Sequence, residues 1–116
     1  MNIYRQRDIV LVPFPFSDLS MSKARPVLIL SHDDYNGSTE DVLVCGLTTN
    51  LQSAPYSIIV ETTDVEESDS LKYKSKIKAD TIVSLSQGLI IKSIARLKPE
   101  AFDRVISEIS RLIQRV

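Results

Sequence analysis

Four lysines alternate with other residues between Lys72 and Lys78 (KYKSKIK). Successive side chains of an extended strand point to opposite faces, so this spacing predicts Lys72, Lys74, Lys76 and Lys78 on one face. Like charges in a row repel unless an anionic partner or nearby carboxylates neutralise them. A polyanion is one such partner, with Tyr73 available to stack against a base. Lysines that guard an exposed edge strand against aggregation are the competing explanation. Just upstream, Glu61, Asp64, Glu66, Glu67 and Asp69 form an acidic run. It reads as a solvated loop, or as a segment folded back to neutralise part of the lysine row.

Two further candidates sit at strand ends. Arg25 directly precedes Pro26 and an apolar run. A guanidinium held there presents a planar fork suited to phosphate or carboxylate, although a solvated loop arginine would look the same. Thr48 and Thr49 end another apolar run and are followed by Asn50. Their hydroxyls can donate to a bound oxyanion or close a turn through local backbone bonds. Cys45, inside an apolar run, reads as a core thiol, and His32, followed by Asp33 and Asp34, as a histidine of a surface turn. A single cysteine and a single histidine exclude a disulfide framework and make a metal centre improbable. No Walker loop, dinucleotide fingerprint, metalloprotease motif or nucleophile elbow occurs, so nucleotide-dependent enzymes drop out and no cofactor is expected.

The elements that must hold these residues are mostly short strands. Runs at Asp8–Pro13, Pro26–Ser31, Val42–Leu47 and Tyr56–Glu61 are rich in β-branched residues, the first being ended by Pro13 and Pro15. Their apolar residues are continuous rather than alternating, which predicts strands buried on both faces or a tightly curled barrel. Polar connections cover Ser17–Ala24, His32–Glu40 and Thr49–Pro55. A fifth strand is expected over Ser75–Ala79, with further β structure between Thr81 and Leu97. After Pro99, Phe102, Val105, Ile106, Ile109, Leu112, Ile113 and Val116 follow the spacing of an amphipathic helix. The predicted fold class is therefore mainly β (α+β), a small SH3-like barrel or curled antiparallel sheet with a C-terminal amphipathic helix, in a single domain spanning residues 1–116.

With 116 residues, 43% of them hydrophobic and 25% charged, the chain has an ordinary globular composition. The formal net charge of −1 excludes a uniformly basic nucleic-acid binder. It does not exclude a local one, because five of the 15 acids fall between Glu61 and Asp69 and the rest of the chain carries +4. The longest apolar run, Ile9–Phe16, contains two prolines and is far too short to span a membrane. The expected compartment is the cytoplasm.

Taken together, DIVLVPFPFSD from Asp8, KARPVLILS from Lys23, VLVCGLTTN from Val42 and SKIKADTI from Ser75 resemble the PemK/MazF family of toxins from toxin–antitoxin modules. Gly88–Leu97 and the C-terminal helix also fit. The resemblance implies a homodimer of SH3-like barrels that cleaves single-stranded RNA (mRNA) without a metal or cofactor. In the implied reaction a ribose 2′-hydroxyl attacks the adjacent phosphodiester, leaving 2′,3′-cyclic phosphate and 5′-hydroxyl ends. It also implies a cognate antitoxin as partner, with a disordered acidic tail that occupies the basic groove.

The same resemblance assigns roles by position. Arg25 stabilises the pentavalent phosphate and moves a proton, and Thr48 positions the phosphate by hydrogen bonding. Lys78 and Asp80 match by type a charged residue and an aspartate that some relatives use, with Asp80 as base and Lys78 as acid or clamp. A surface ion pair is the plainer account of those two. Ser20 and Lys23 in the first loop, and Thr49, Asn50 and Gln52 after the third strand, fall where relatives recognise RNA, and Lys74 and Lys76 add charge. Two departures stand out. Arg7 replaces the usual glycine before the first strand, and Ser20 stands where many relatives carry a glutamate, so either another group acts as general base or the enzyme is weak. A gyrase-poisoning toxin of the same fold, with Arg25 and Thr48 dispensable, is the first alternative. A silent module that binds RNA or antitoxin without cleavage is the second.

Overall fold

The computed structural model describes residues 4–15, 22–66 and 71–116. In chain order it contains β1 (Asp8–Pro15), β2 (Ser22–Ile29), α1 (Asp33–Ser38), β3 (Asp41–Thr48), β4 (Ser57–Val60), β5 (Ser75–Ser86), a 3₁₀ turn at Gln87–Leu89, β6 (Lys92–Arg96) and α2 (Pro99–Ile113). The strands form one antiparallel sheet in the order β4-β5-β3-β2-β1-β6. A bridge between Val65 and Leu97, with the Glu66 N–H donating to the Arg96 carbonyl at 2.8 Å, ties the chain after β4 to the far edge. The sheet is thereby curled towards a barrel, as its continuous apolar strands predict.

Those strands are buried on both faces. Ile9, Leu28, Cys45, Leu47, Ile77 and Ala79 pack on one side with Phe102 and Val105 of α2. Val10, Val12, Val27, Ile29, Val42 and Val44 form a second cluster on the other side, closed by Ile90 after the 3₁₀ turn. Alternate residues of the same strands thus feed different cores, which is why no polar alternation shows in their sequence. α2 begins with Pro99 at its first turn, where the missing N–H costs nothing. It lies against β4 and β5.

Several expected boundaries move. β1 continues through Pro13 to Pro15 because it pairs with β6 only from Asp8 to Leu11. Beyond Leu11 only β2 flanks it, so a proline can face the open side without breaking a ladder. β2 starts at Ser22 rather than Pro26 for the same reason, since β3 joins it only from Val27. The polar connection after Ser31 contains α1, which the spacing did not reveal. His32 caps it, its Nδ1 accepting the Asp34 N–H at 3.0 Å. Asn36 and Ser31, both buried, satisfy one another beneath it.

β5 is longer than expected and changes register midway. Gly46 pairs with Lys78 but Cys45 pairs with Ile82, so Ala79, Asp80 and Thr81 drop out of the β3 ladder. The Ala79 N–H turns instead to the Tyr56 carbonyl at 3.0 Å. An irregularity of this kind bends the strand and re-aims its side chains.

Candidate active site

The β3 backbone carries the site. Val27 of β2, Gly46 of β3 and Lys78 of β5 lie in one row across three strands. Two residues further along β3, Thr48 pairs with Lys76. Extending the β2–β3 register from Val27 and Gly46 by two residues puts Arg25 across from Thr48. The result is a cavity of about 230 Å³ lined by Arg25, Thr48, Lys78 and Thr81, with Val27 and Val83 among its apolar walls. Gly46 also lines it, and an added Cβ there would meet no atom within 4 Å.

Two cations and two hydroxyls therefore converge on a small hollow with an apolar base, an arrangement fitted to a phosphoryl group. Thr48 closes the turn and also lines the cavity. Its Oγ1 accepts the Asn50 N–H at 3.1 Å, which closes the local turn, while the side chain lines the cavity. Asn50 Oδ1 in turn accepts the Gln52 N–H at 3.1 Å. These small rings stiffen the strand exit, where Thr49, Asn50 and Gln52 are exposed.

The lysines do not share one exposed face. Lys72 and Lys74 precede β5 and are exposed, Lys78 is exposed within it, and Lys76 is buried at 7% exposure. The alternation argument holds only where the chain is a strand, and here the strand begins at Ser75. Packing then separates Lys76 from Lys78, because the Thr49–Pro55 segment reaches Lys76, whose Nζ donates to the Gln52 carbonyl at 2.8 Å. Of the acidic run, Glu61 and Asp64 fold back onto cations, while Glu67 and Asp69 lie outside the described residues. Glu61 Oε2 lies 3.3 Å from Lys74 Nζ, and Asp64 Oδ2 lies 3.4 Å from Arg104 of α2.

Asp80 stands apart from Lys78. It lies in the register shift, exposed, with its Oδ1 accepting from Thr81 Oγ1 at 3.4 Å. Among the described residues neither a hydrogen bond nor an ion pair joins it to Lys78. Lys23 is on β2 opposite Phe14, and Ser20 lies outside the described residues. Thr81 and Gly46 are the site residues that the sequence did not single out. A threonine after an aspartate and a glycine inside an apolar run carry no local signal of a cavity.

A larger and more open hollow of about 660 Å³ runs beside β6. Arg5, Lys92 and Arg96 there face Asp8 and Glu66, with Asp8 paired to Arg96, so its charge is mixed where the smaller cavity carries cations alone. The chemistry therefore points to the Arg25–Thr48 hollow.

The profile of the PemK-like, MazF-like toxins of type II toxin–antitoxin systems matches residues 5–113. The chain belongs to this toxin family. No curated protein matches it in sequence. Among solved structures, an endoribonuclease in complex with its cognate antitoxin from a mycobacterial species superposes with a TM-score of 0.78 at 19% identity, covering 97% of this chain and 98% of that one. A MazE–MazF structure from Deinococcus radiodurans gives 0.77 at 19% identity over 100% of both chains. The Mycobacterium tuberculosis toxin MazF-mt6 gives 0.72 at 20% identity, covering 90% of this chain and 94% of that one. At such identities the PemK/MazF likeness of these structures is one of fold. No helix among the described residues is long and apolar enough to cross a membrane.

Proposed function

We propose that this PemK/MazF toxin is a sequence-selective endoribonuclease that cleaves single-stranded RNA without a metal. The observation that carries this reading is the meeting of Arg25, Thr48 and Lys78 around one small hollow. The names of solved neighbours, an endoribonuclease bound to its antitoxin among them, support it. A ribose 2′-hydroxyl gives its proton to Asp80, which is outside the cavity lining but accepts from the lining residue Thr81, as the 2′-oxygen bonds to phosphorus. The bond from phosphorus to the 5′-oxygen then breaks, and that oxygen takes a proton from Lys78. Arg25 and the Thr48 hydroxyl stabilise the extra negative charge that develops between these events. The products are a 2′,3′-cyclic phosphate and a 5′-hydroxyl end. Selectivity lies with the exposed Thr49–Gln52 segment together with Lys23 and Ser20. The working form is a homodimer whose partner is a cognate antitoxin.

Purified protein incubated with a long single-stranded RNA in excess EDTA tests this directly. Defined cuts with 5′-hydroxyl ends are expected. Arg25→Ala or Thr48→Val lowers the rate by roughly 10²–10³-fold, the usual effect of removing one preorganised donor to a developing oxyanion, with the fold intact by circular dichroism. RNA left whole at high protein concentration overturns the reading. Growth arrest on expression would then favour the gyrase-poisoning alternative.

A further inference from the structure

Lys76 is 7% exposed, a rare setting for an ammonium group. Its Nζ donates to the Gln52 carbonyl at 2.8 Å, and among the described residues no carboxylate forms an ion pair with it. A neutral carbonyl offsets the desolvation of an ammonium less than a carboxylate would. What the bond does is tie β5 to the segment that carries Gln52.

From Gln52 the bonding runs back along the chain. The Gln52 N–H donates to Asn50 Oδ1 at 3.1 Å, and the Asn50 N–H donates to Thr48 Oγ1 at 3.1 Å. Thr48 is the direct cross-strand partner of Lys76. The path thus begins and ends on one residue pair and closes a ring through Lys76, Gln52, Asn50 and Thr48. A hydroxyl has one proton to donate and two lone pairs. With one lone pair engaged by the Asn50 N–H, the Thr48 proton is left free to point into the cavity.

We propose that Lys76 is a positioning residue for Thr48. Its ammonium clamps the Thr49–Pro55 segment through the Gln52 carbonyl, and that segment holds the Thr48 hydroxyl as a donor to the scissile phosphate. Direct RNA contact by Lys76 is replaced by action through the site wall. The effect on cleavage rests on the nuclease reading above; the bonded ring does not.

Lys76→Met keeps the length and removes the donor, Lys76→Arg keeps a donor, and Asn50→Ala breaks the ring at an exposed residue with little risk to folding. Hydrogen exchange followed by NMR on the full chain reads the ring without any activity. The Asn50 and Gln52 amides are expected to exchange at least tenfold faster in Lys76→Met, with the β3–β5 ladder amides unchanged and partial recovery in Lys76→Arg. Asn50→Ala should free the Gln52 amide alike. In single-turnover cleavage, Lys76→Met is expected to slow the chemical step about tenfold with RNA affinity changed less than twofold. In a Thr48→Val background it should cost nothing further. Unchanged amide exchange, a loss confined to RNA affinity, or an equal loss in both backgrounds would overturn the assignment. Should the wild type cut no RNA, the exchange data decide alone: faster exchange upholds the clamp while only the nuclease reading falls.

Discussion

Lys78 stands directly across the β3–β5 ladder from Gly46, and both residues line the same cavity. The glycine is not required by its backbone, whose φ is not positive. A side chain there would extend into open space at the cavity instead.

Gly46→Val is therefore expected to leave the fold intact and abolish function. A Cβ meets nothing within 4 Å, and valine in a strand gains roughly 0.5–1 kcal/mol over glycine from backbone entropy and β-propensity. The thermal midpoint should stay level or rise while RNA cleavage falls by at least two orders of magnitude. Full cleavage by a folded Gly46→Val variant would remove the cavity from the mechanism.

Arg7 adopts φ 79°, in the region that favours glycine. This is the physical reason why a glycine suits the position, as the resemblance suggested. The arginine is held there by its N–H donating to the Ile29 carbonyl at 3.0 Å, its carbonyl accepting from the Leu97 N–H at 2.9 Å, and its Nη1 donating to the Leu97 carbonyl at 2.7 Å. Arg7→Gly relieves about 1–2 kcal/mol of left-handed strain and loses a charge-assisted bond of about 1.5 kcal/mol. The stability change by urea titration should lie near zero. Arg7→Val loses the bond and worsens the strain, so it should cost more than about 2 kcal/mol.

Asp8 is buried, with Oδ2 accepting from the Arg5 N–H at 2.8 Å and Oδ1 lying 3.0 Å from Arg96 Nη1. The pair joins the start of β1 to the end of β6. Removing the carboxylate takes one acceptor from Arg96 and leaves the Arg5 N–H without its own, a loss of about 1–3 kcal/mol. Asp8→Ala should therefore lower the thermal midpoint by several degrees. An unchanged midpoint would mean that the pair adds nothing to the junction of β1 and β6.

Burial pushes the Cys45 thiol up from its ordinary 9.0 to about 12. The folded state thus keeps its proton in a range where the unfolded chain loses it, so stability falls as pH rises from 9 towards 12. At pH 8 a thiol-specific reagent such as Ellman's should leave the native protein untouched and react fully in denaturant. Rapid labelling of the native protein would place Cys45 outside the core.

The sequence by itself determined which segments are strands, that those strands lie buried on both faces, and that the C-terminal stretch is an amphipathic helix. These are local properties: period, β-branching and the position of Pro99 are written in consecutive residues. It also marked Arg25 and Thr48, though only the family likeness lifted them above an ordinary loop arginine and a turn threonine. Tertiary structure decided the rest. Lys76 and Lys78 have the same type and the same parity, yet one is buried under the Thr49–Pro55 segment and the other opens onto the cavity. Asp80 left the row because β5 shifts register against β3, and Gly46 came to line the cavity because Val27 and Lys78 flank it from other strands. None of these follows from spacing along the chain. Each depends on which residue of a distant strand lies opposite, and that is set only when the sheet closes its register.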